Sequence, residues 1–367
     1  MGDHPHLPDY AGPCISNIVP ALLEPTDRTP EWLPGAAAEA DQVVLLVLDG
    51  LGWDQLEPRR ASAPCLASMA GGPISTVVPS TTATALTSIA TGLAPGDHGV
   101  VGYRVHVEGE VLNVLRWTTP TGDARGRISP LDFQPHPAFC GHRPPIVTKA
   151  EFATSGFSGA HLSEVRFNGY RVTSTLVTEV RRLLGAGEPF IYAYYDVIDK
   201  VAHEYGVREH YDAELVSADR LVADLAAVLP RGAALVVTAD HGQVDVGDHL
   251  IEVHPEVRSH VRMQSGEARF RWLHARTGQA EALLDAASAH HGDQAWVRSR
   301  QEMVLEGWFG PNLSNAAARR LGDVALVAQG DGAFIDAADS GPFVLVGRHG
   351  SLTSAEMRVP LLATANT

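Results

Sequence analysis

Three short apolar runs, each followed closely by aspartate, constrain the fold of this chain more than any other feature. The runs are residues 43–48, 189–195 and 233–238, and the aspartates that follow them are Asp49, Asp196 with Asp199, and Asp240. Runs of this length, rich in β-branched and aromatic residues, are typical of strands buried on both faces of a parallel sheet. Helical patterns at 82–91, 173–184 and 213–229 alternate with them. The alternation predicts an α/β fold with a mainly parallel sheet.

The length of 367 residues allows one large domain with an insertion, or two domains. Residues 1–40 are rich in proline and small residues, which predicts an irregular segment. Residues 41–250 and 325–367 carry the strand–helix alternation, and we assign them to the α/β core. The pattern changes between them, so we expect 251–324 to form a cap or insertion. A further strand is predicted at 343–346.

Composition narrows the classes of partner. The net charge of -15 argues against a nucleic-acid polymer as ligand, although metal ions can make a single site locally positive. No apolar run approaches the roughly 20 residues of a membrane span, and no secretory signal is recognisable. The three widely spaced cysteines are typical of free thiols in a reducing compartment. These features predict a cytoplasmic protein with no nucleic-acid polymer and no membrane partner, they do not exclude a small anionic ligand, and they leave the oligomeric state open.

Acidic and imidazole side chains fall where the predicted strands end. The six candidate metal ligands are Asp49, Asp199, His203, Asp240, His241 and His349. Taken singly, each could be a turn residue, a helix cap or an ordinary surface histidine. Ligands of parallel α/β sheets bind beyond the carboxyl ends of the strands, so these side chains are expected to converge. Three aspartates and three histidines suffice for two metal sites with open positions, and the mixed nitrogen and oxygen set suits Zn²⁺, with Mn²⁺ as the alternative.

A threonine-rich helix start offers a nucleophile. Ser80, Thr81, Thr82 and Thr84 could each cap free backbone N–H groups at the start of the helix. The same position favours an alkoxide and an anionic substrate, because the helix N-terminus carries partial positive charge. A metal ion bound to the hydroxyl oxygen would lower its pKa and activate it. Both interpretations stay open at this point.

The order of these motifs adds a family resemblance. Along the chain run Asp49-Gly50, Pro79 to Thr82, Thr91-Gly92, Pro95 with His98-Gly99, Asp199 with His203 and Gly206, Asp240-His241-Gly242, and His349-Gly350. This series resembles the alkaline phosphatase superfamily, and most closely its nucleotide pyrophosphatase/phosphodiesterase (type I phosphodiesterase) branch, over roughly residues 42 to 350. The resemblance implies a three-layer α/β/α sandwich with a smaller inserted cap. It also gives His98 a structural role in its loop.

The resemblance also implies ligand sets and a mechanism. One Zn²⁺ would be held by Asp199, His203 and His349, and the other by Asp49, Asp240 and His241, with Thr82 bound to the second ion. The implied reaction is attack of the Thr82 oxygen on phosphorus, followed by hydrolysis of the phosphorylated or nucleotidylated threonine. The chain is then a phosphodiesterase or nucleotide pyrophosphatase.

Two departures from the family pattern leave the substrate open. Ala83 stands where phosphodiesterases of the family usually carry an aromatic residue, and Tyr103 stands where they place a phosphate-binding asparagine. The Tyr103 hydroxyl and the neighbouring Arg104 are the candidate substrate-binding groups. A phosphomonoesterase or phosphonate hydrolase on the same two-metal site is the alternative, although no arginine adjoins Thr82 to favour a dianion. A non-enzymatic metal-binding protein is disfavoured, because all the ligand types and a nucleophile are present.

Overall fold

A computed structural model describes residues 4–26, 28–339 and 345–366. The strands of this part of the chain are, in order, β1 (Gln42–Leu48), β2 (Ala70–Ser75), β3 (Arg104–Val107), β4 (Glu110–Asn113), β5 (Thr118–Thr119), β6 (Gly122–Asp123), β7 (Pro145–Lys149), β8 (Arg166–Tyr170), β9 (Phe190–Tyr195), β10 (Ala233–Thr238), β11 (Val244–Asp245), β12 (Leu250–Glu252), β13 (Val261–Glu267), β14 (Phe270–Ala275), β15 (Ala295–Ser299), β16 (Val324–Ala328), β17 (Ala333–Ile335), β18 (Gly347–Arg348) and β19 (Arg358–Ala365). The α-helices are α1 (Ile18–Leu23), α2 (Gly35–Ala38), α3 (Trp53–Leu56), α4 (Pro64–Ser68), α5 (Thr82–Thr91), α6 (Pro95–His98), α7 (Pro130–Phe133), α8 (Gly156–His161), α9 (Thr173–Gly185), α10 (Val197–Tyr205), α11 (Glu209–Ala227), α12 (Pro255–His260), α13 (Ala280–His291), α14 (Arg300–Leu305), α15 (Asn315–Arg320) and α16 (Ser354–Met357).

A seven-stranded sheet in the order β2-β19-β10-β1-β9-β7-β8 forms the centre of the fold. β1 pairs in parallel with β10 on one side and β9 on the other, and β7 and β8 continue the parallel array beyond β9. Only β19 runs antiparallel, to both β10 and β2. All residues of β9 and β10 are buried, as their continuous apolar sequences require. The predicted α/β fold with a mainly parallel sheet is confirmed.

Helix α5 is buried along its whole length. Its small side chains permit this, and the hydroxyls of Thr87 and Thr91 donate to the carbonyls of Ala83 and Thr87, each at 2.7 Å. The helix ends as the sequence predicts, at Gly92 with a left-handed φ of 71°. Thr82 is the first residue of α5, and the burial of the whole helix holds this residue in a fixed position.

The first forty residues are more ordered than their composition predicts. They contain a short 3-10 helix at Ile15–Asn17 together with α1 and α2. Ile15, Ile18 and Val19 are completely buried and join the main core. These pieces are too short to display a helical period, which explains why the sequence pattern is silent about them.

A second, four-stranded sheet in the order β13-β14-β16-β15 lies in the segment that we expected to form a cap or insertion. Its strands are antiparallel, and α12 and α13 contribute Val257 and Leu283 to its core. Strand β16, which the sequence pattern assigned mainly to the catalytic core, belongs to this sheet. Of the predicted strand at 343–346, residues 343 and 344 lie outside the described residues, and 345 and 346 are not in a strand but directly precede β18. No helix in the described ranges is long and apolar enough to cross a membrane.

Candidate active site

The candidate ligands meet at the carboxyl ends of three adjacent parallel strands. Asp49 follows β1 directly, Asp240 follows β10 after one residue, and α10 begins two residues after β9 and carries Asp199 and His203. Strand β18 pairs with β11 and so brings His349 back to the segment that follows His241. The sheet order β10-β1-β9 and the pairing of β18 with β11 therefore bring four separate sequence motifs into one cluster.

One group of side chains surrounds the His241 ring. Its Nε2 lies 3.5 Å from Asp49 Oδ1, 3.4 Å from Asp240 Oδ2 and 3.1 Å from Thr82 Oγ1. All four side chains are buried. Ligand atoms about 2.0–2.1 Å from a tetrahedral metal ion lie about 3.3 Å from one another. The spacing of this group therefore matches a metal site.

A second group adjoins the first. Asp199 Oδ2 lies 3.3 Å from His203 Nε2, and Asp199 Oδ1 lies 3.7 Å from His349 Nε2. The four-residue spacing along α10 brings Asp199 and His203 onto one helix face. The His349 ring stacks on His241 with centroids 3.5 Å apart, and donor atoms of Asp199, His241 and His349 fall within 4.8 Å of one another. His241 thus lies within reach of both groups.

The three imidazole rings are oriented by backbone carbonyls. Their Nδ1 atoms donate to Gly347 O at 2.8 Å from His203, to Gly242 O at 3.1 Å from His241, and to Ser80 O at 2.9 Å from His349. A carbonyl oxygen only accepts, so Nδ1 carries a proton, and each ring in its neutral form presents an Nε2 lone pair to the cluster. Metal-binding histidines are commonly fixed in this way.

The carboxylates present free oxygens to those lone pairs. Asp240 Oδ1 accepts the backbone N–H groups of Gly50 and His241, each at 3.0 Å. Asp49 Oδ2 accepts the Tyr194 hydroxyl. The other oxygens, Asp240 Oδ2 and Asp49 Oδ1, are buried and have no hydrogen-bond partner among the described residues. A carboxylate oxygen and a neutral Nε2 are both acceptors, so a cation between them would satisfy each.

The electrostatics of the cluster point the same way. Burial, reinforced by the neighbouring Asp240 and Asp199 carboxylates, raises the pKa of Asp49 well above its ordinary value. Burial also raises the pKa of Asp240. Burial and the adjacent His241 and His203 lower the pKa of His349 well below its usual range. Divalent cations reverse the effect on the two carboxylates, because they favour the ionised form, and they act in the same direction as burial on His349, because they favour the neutral imidazole. The donor set and its burial therefore fit divalent metal ions.

Of the four candidate hydroxyls at the start of α5, Thr82 is the one in contact with this cluster. Ser80 Oγ donates to Ser351 O at 2.6 Å, and Thr84 Oγ1 is buried without a partner in the described chain. Thr81 occupies the N-cap position, but its side chain makes no capping hydrogen bond. The Thr82 hydroxyl can instead donate to the neutral His241 Nε2. The capping interpretation thus does not explain Thr82.

A cavity of about 200 Å³ opens beside Thr82, Asp49 and Asp199. Its walls are largely apolar and aromatic, and they include Leu86, Leu115, Phe152, Phe157, Leu162 and Tyr192. A cleft of this composition beside a cluster of ionisable groups is typical of a small-molecule site.

The two lysines of the chain, Lys149 and Lys200, lie around one carboxylate, and Lys200 lines this cavity. Their Nζ atoms are 2.7 and 2.6 Å from the two oxygens of Asp196, which is buried. Two ammonium groups and one carboxylate leave a net charge of +1 beside the candidate metal groups. Asp196 and Lys200 are four residues apart at the start of α10. No sequence motif places Lys149 beside them, because Lys149 joins them only through the pairing of β7 with β9.

The candidate substrate-binding residues have other contacts. The Tyr103 hydroxyl accepts a hydrogen bond from Asn113 Nδ2 at 2.6 Å. The Arg104 guanidinium binds Asp339 at 2.5 Å and Asp336 at 3.4 Å. Neither residue is among the described residues that line the cavity. A role of Tyr103 or Arg104 in substrate binding stays a prediction.

Glu267, which no sequence motif marked, connects the second sheet to the site. Its Oε2 accepts the Tyr103 backbone N–H at 3.2 Å, and burial raises its pKa to about 8. Its side-chain carbons press on Gly350, where a Cβ would lie 2.7 Å from Glu267 Cγ. Gly350 also has a φ of 125°, so both space and backbone conformation require glycine next to His349. The loop that carries His349 is therefore held partly by the second sheet.

Comparison with protein families identifies the family to which this chain belongs. A family model described as type I phosphodiesterase / nucleotide pyrophosphatase matches residues 43–352. The chain belongs to this family. The match spans both the cluster and the second sheet, and it confirms the resemblance found in the motifs. No curated protein matches the chain.

Several solved structures share the fold of this chain. Murine ectonucleotide pyrophosphatase/phosphodiesterase 5 is 17% identical with a TM-score of 0.65, over 88% of this chain and 87% of that one. An inactive variant of the murine protein has been solved in complex with AMP, with the same identity, TM-score and coverage. Phosphonoacetate hydrolase from Sinorhizobium meliloti, in complex with phosphonoformate, is 18% identical with a TM-score of 0.63, over 89% and 90% of the two chains. Family and fold together indicate a phosphoester hydrolase, and at these identities the structural likeness establishes the fold alone.

Proposed function

We propose that this protein is a two-metal phosphodiesterase or nucleotide pyrophosphatase with Thr82 as its nucleophile. One ion would be held by Asp49, Asp240 and His241 with the Thr82 oxygen, and the other by Asp199, His203 and His349. The observation that carries the proposal is that two kinds of hydrogen-bond acceptor face each other in the cluster. Imidazole Nε2 lone pairs face buried carboxylate oxygens at 3.3–3.7 Å with Thr82 beside them. Zn²⁺ suits this donor set, and Mn²⁺ is the alternative.

The reaction uses the position of Thr82 at the start of a buried helix. Metal ions held by the cluster would lower the pKa of the threonine hydroxyl and neutralise charge on the phosphate. As the Thr82 oxygen bonds to phosphorus, the bond between phosphorus and the leaving alcohol or phosphate oxygen breaks, and the threonine proton passes through solvent to that leaving oxygen. The product is a phosphorylated or nucleotidylated threonine. Water then displaces the threonine oxygen from phosphorus and restores the enzyme. The start of α5 would favour the same anionic group, because a helix N-terminus carries partial positive charge.

The cavity favours a diester over a monoester. A diester carries a second substituent, and the apolar walls formed by residues such as Leu86, Leu115 and Phe157 could accept one. A monoester is a dianion and usually demands added cationic groups. Arg104 is bound by two aspartates, and Arg166 is paired with Glu188 at 2.5 Å. Neither guanidinium is therefore free for a dianion, and both lysines of the chain are paired with Asp196.

Paired assays on the zinc-loaded enzyme test this preference. We expect kcat/KM for bis-p-nitrophenyl phosphate to exceed that for p-nitrophenyl phosphate at least about tenfold, a difference of about 1.4 kcal/mol in transition-state binding. A comparable preference for the monoester would assign the protein to the phosphomonoesterases instead. Hydrolysis of neither compound, in enzyme with full metal content, would count against the hydrolase proposal.

A phosphonate hydrolase is the second candidate, and the lysine trio favours it. The net positive charge around Asp196 could bind an extra anionic group such as a carboxylate on the substrate. The phosphonoacetate hydrolase of similar fold has been solved with phosphonoacetate bound. Under the leading proposal, phosphonoacetate releases no phosphate above background. If phosphate is released, and Lys200→Met lowers that rate at least about tenfold more than the diester rate, the phosphonate activity takes precedence.

A further inference from the structure

A second cluster of metal-ligating side chains lies on the helices of the second sheet. His254 and Glu256 belong to the start of α12, and His290 lies in the last turn of α13. His290 Nε2 is 2.8 Å from Glu256 Oε2, and the rings of His254 and His290 stack with centroids 3.6 Å apart. One donor atom from each of the three residues lies within 4.8 Å of the other two. None of the three belongs to the candidate active site.

The backbone holds these residues in place. His254 Nδ1 accepts the Glu256 N–H at 3.3 Å, and the His254 N–H donates to His291 Nε2 at 3.0 Å. Val257 on α12 and Leu283 on α13 are fully buried in the core beneath. Both helices are therefore anchored, and the ligand atoms are not carried by a long loop. Because Nδ1 of His254 accepts this hydrogen bond, Nε2 carries the proton in the neutral ring. A metal ion at Nε2 would displace that proton, and Nδ1 would be protonated in its place and give up the 3.3 Å contact with the Glu256 N–H.

The charges around the cluster favour a cation. The hydrogen bond from His290 lowers the pKa of Glu256, so its carboxylate is ionised at neutral pH. The twelve-residue helix α13 ends at His291, and the C-terminal end of a helix attracts positive charge. Two imidazole nitrogens and one carboxylate oxygen form a ligand set that Zn²⁺ uses when its fourth position is left to water. Partial exposure of His290 and Glu256 leaves that position open to solvent.

We propose that His254, Glu256 and His290 form an additional binding site for a divalent transition metal ion, Zn²⁺ in the first instance, which joins α12 to α13. The ion would replace the proton between His290 and Glu256 and draw His254 Nε2 to the same centre. It would tie together two helices of the second sheet, the sheet that also supplies Glu267 to the loop carrying His349. The site rests on its own residues and does not depend on the proposed hydrolase activity.

Zinc content at equilibrium tests the site. The wild-type protein and three variants are dialysed against the same micromolar concentration of free Zn²⁺. Bound zinc is then measured by elemental mass spectrometry. We expect His290→Ala and His254→Ala each to hold one zinc per chain less than wild type. His260→Ala is the matched control, because His260 also lies on α12 but contacts Gln279. It is expected to keep the wild-type zinc content, and thermal melting checks that every variant is folded.

The outcomes separate this site from the catalytic one. Equal zinc content in wild type and His290→Ala would overturn the proposal, as would binding that requires millimolar Zn²⁺. Loss of one zinc in His260→Ala as well would also overturn it, since the ligand set would then be wrong. Diester hydrolysis is expected to stay within about twofold of wild type in all three variants. An Asp240→Asn variant is expected to lose catalytic metal but keep the zinc on α12 and α13.

Discussion

Replacement of Thr82 by alanine is expected to lower kcat at least about a thousandfold, since removal of a catalytic nucleophile typically has effects of this size or larger. The fold and the metal content are expected to survive. Thr82 Oγ1 has His241 as its hydrogen-bond partner, and helix α5 is held by ten buried residues rather than by this hydroxyl. Steady-state rates on the diester, zinc analysis and thermal melting of the same preparation check these expectations.

Thr84→Val is the matched control for this variant. Thr84 lies in the first turn of the same helix, is fully buried, and has no partner for its hydroxyl within the described ranges. Valine keeps its shape and removes only the oxygen, so activity is expected to stay within about threefold of wild type. Near-normal turnover in Thr82→Ala, or a collapse of turnover in Thr84→Val, would transfer the nucleophile away from Thr82.

Replacement of Asp240 by asparagine is expected to cost both metal and activity. Asparagine has nearly the same shape, and its amide oxygen can still accept the N–H groups of Gly50 and His241 that Asp240 Oδ1 accepts. Its amide nitrogen would stand in place of Oδ2, the buried oxygen that faces His241 Nε2 at 3.4 Å. A donor cannot serve as a ligand, so affinity for one metal ion is expected to fall at least about a hundredfold, more than the usual loss for an outer-shell partner. Hydrolysis should fall with it.

Asp245→Asn is the matched control variant for Asp240→Asn. Asp245 lies on β11 five residues further on and pairs with Arg208 at 2.8 Å. Its loss is expected to leave metal content and turnover unchanged, because surface ion pairs contribute little. Full metal content in Asp240→Asn, measured under the same dialysis, would show that Asp240 is not a ligand and that the proposed metal groups need to be redrawn.

Three strands of the central sheet could be predicted because they are buried on both faces and carry continuous apolar sequence. The other four could not. Strand β2 contains Gly71, Gly72 and Pro73, which suit an edge position but are depleted in strands. Strand β8, at the opposite edge, contains Asn168 and Gly169. Edge strands are identified by their pairing partners, and those partners lie far away in sequence.

The candidate ligands could be found because each follows a strand or begins a helix within a few residues. Their local motifs, such as Asp240-His241-Gly242, are short and continuous. The supporting residues have no such signature. Glu267 reaches Gly350 from another sheet, and Lys149 joins Asp196 and Lys200 only when β7 pairs with β9. Sequence order thus reveals groups that act from strand ends, whereas tertiary contacts decide what surrounds them.

The second sheet shows a further limit. Strand β16 has the continuous apolar sequence of a central strand, and all five of its residues are buried. It nevertheless lies between β14 and β15, both antiparallel to it. An apolar run indicates burial on both faces, but it does not say which sheet the strand joins. For this reason the apolar sequence of 325–328 alone predicts a strand of the α/β core.

The stereochemical course at phosphorus tests the central claim most directly. A diester made chiral at phosphorus by sulfur substitution is hydrolysed by the zinc-loaded enzyme in ¹⁸O-labelled water, and the configuration of the product is determined. Attack by Thr82 followed by attack of water comprises two in-line displacements, each of which inverts the centre, so the account predicts overall retention. Overall inversion would mean a single direct attack by water and would contradict a covalent threonine intermediate.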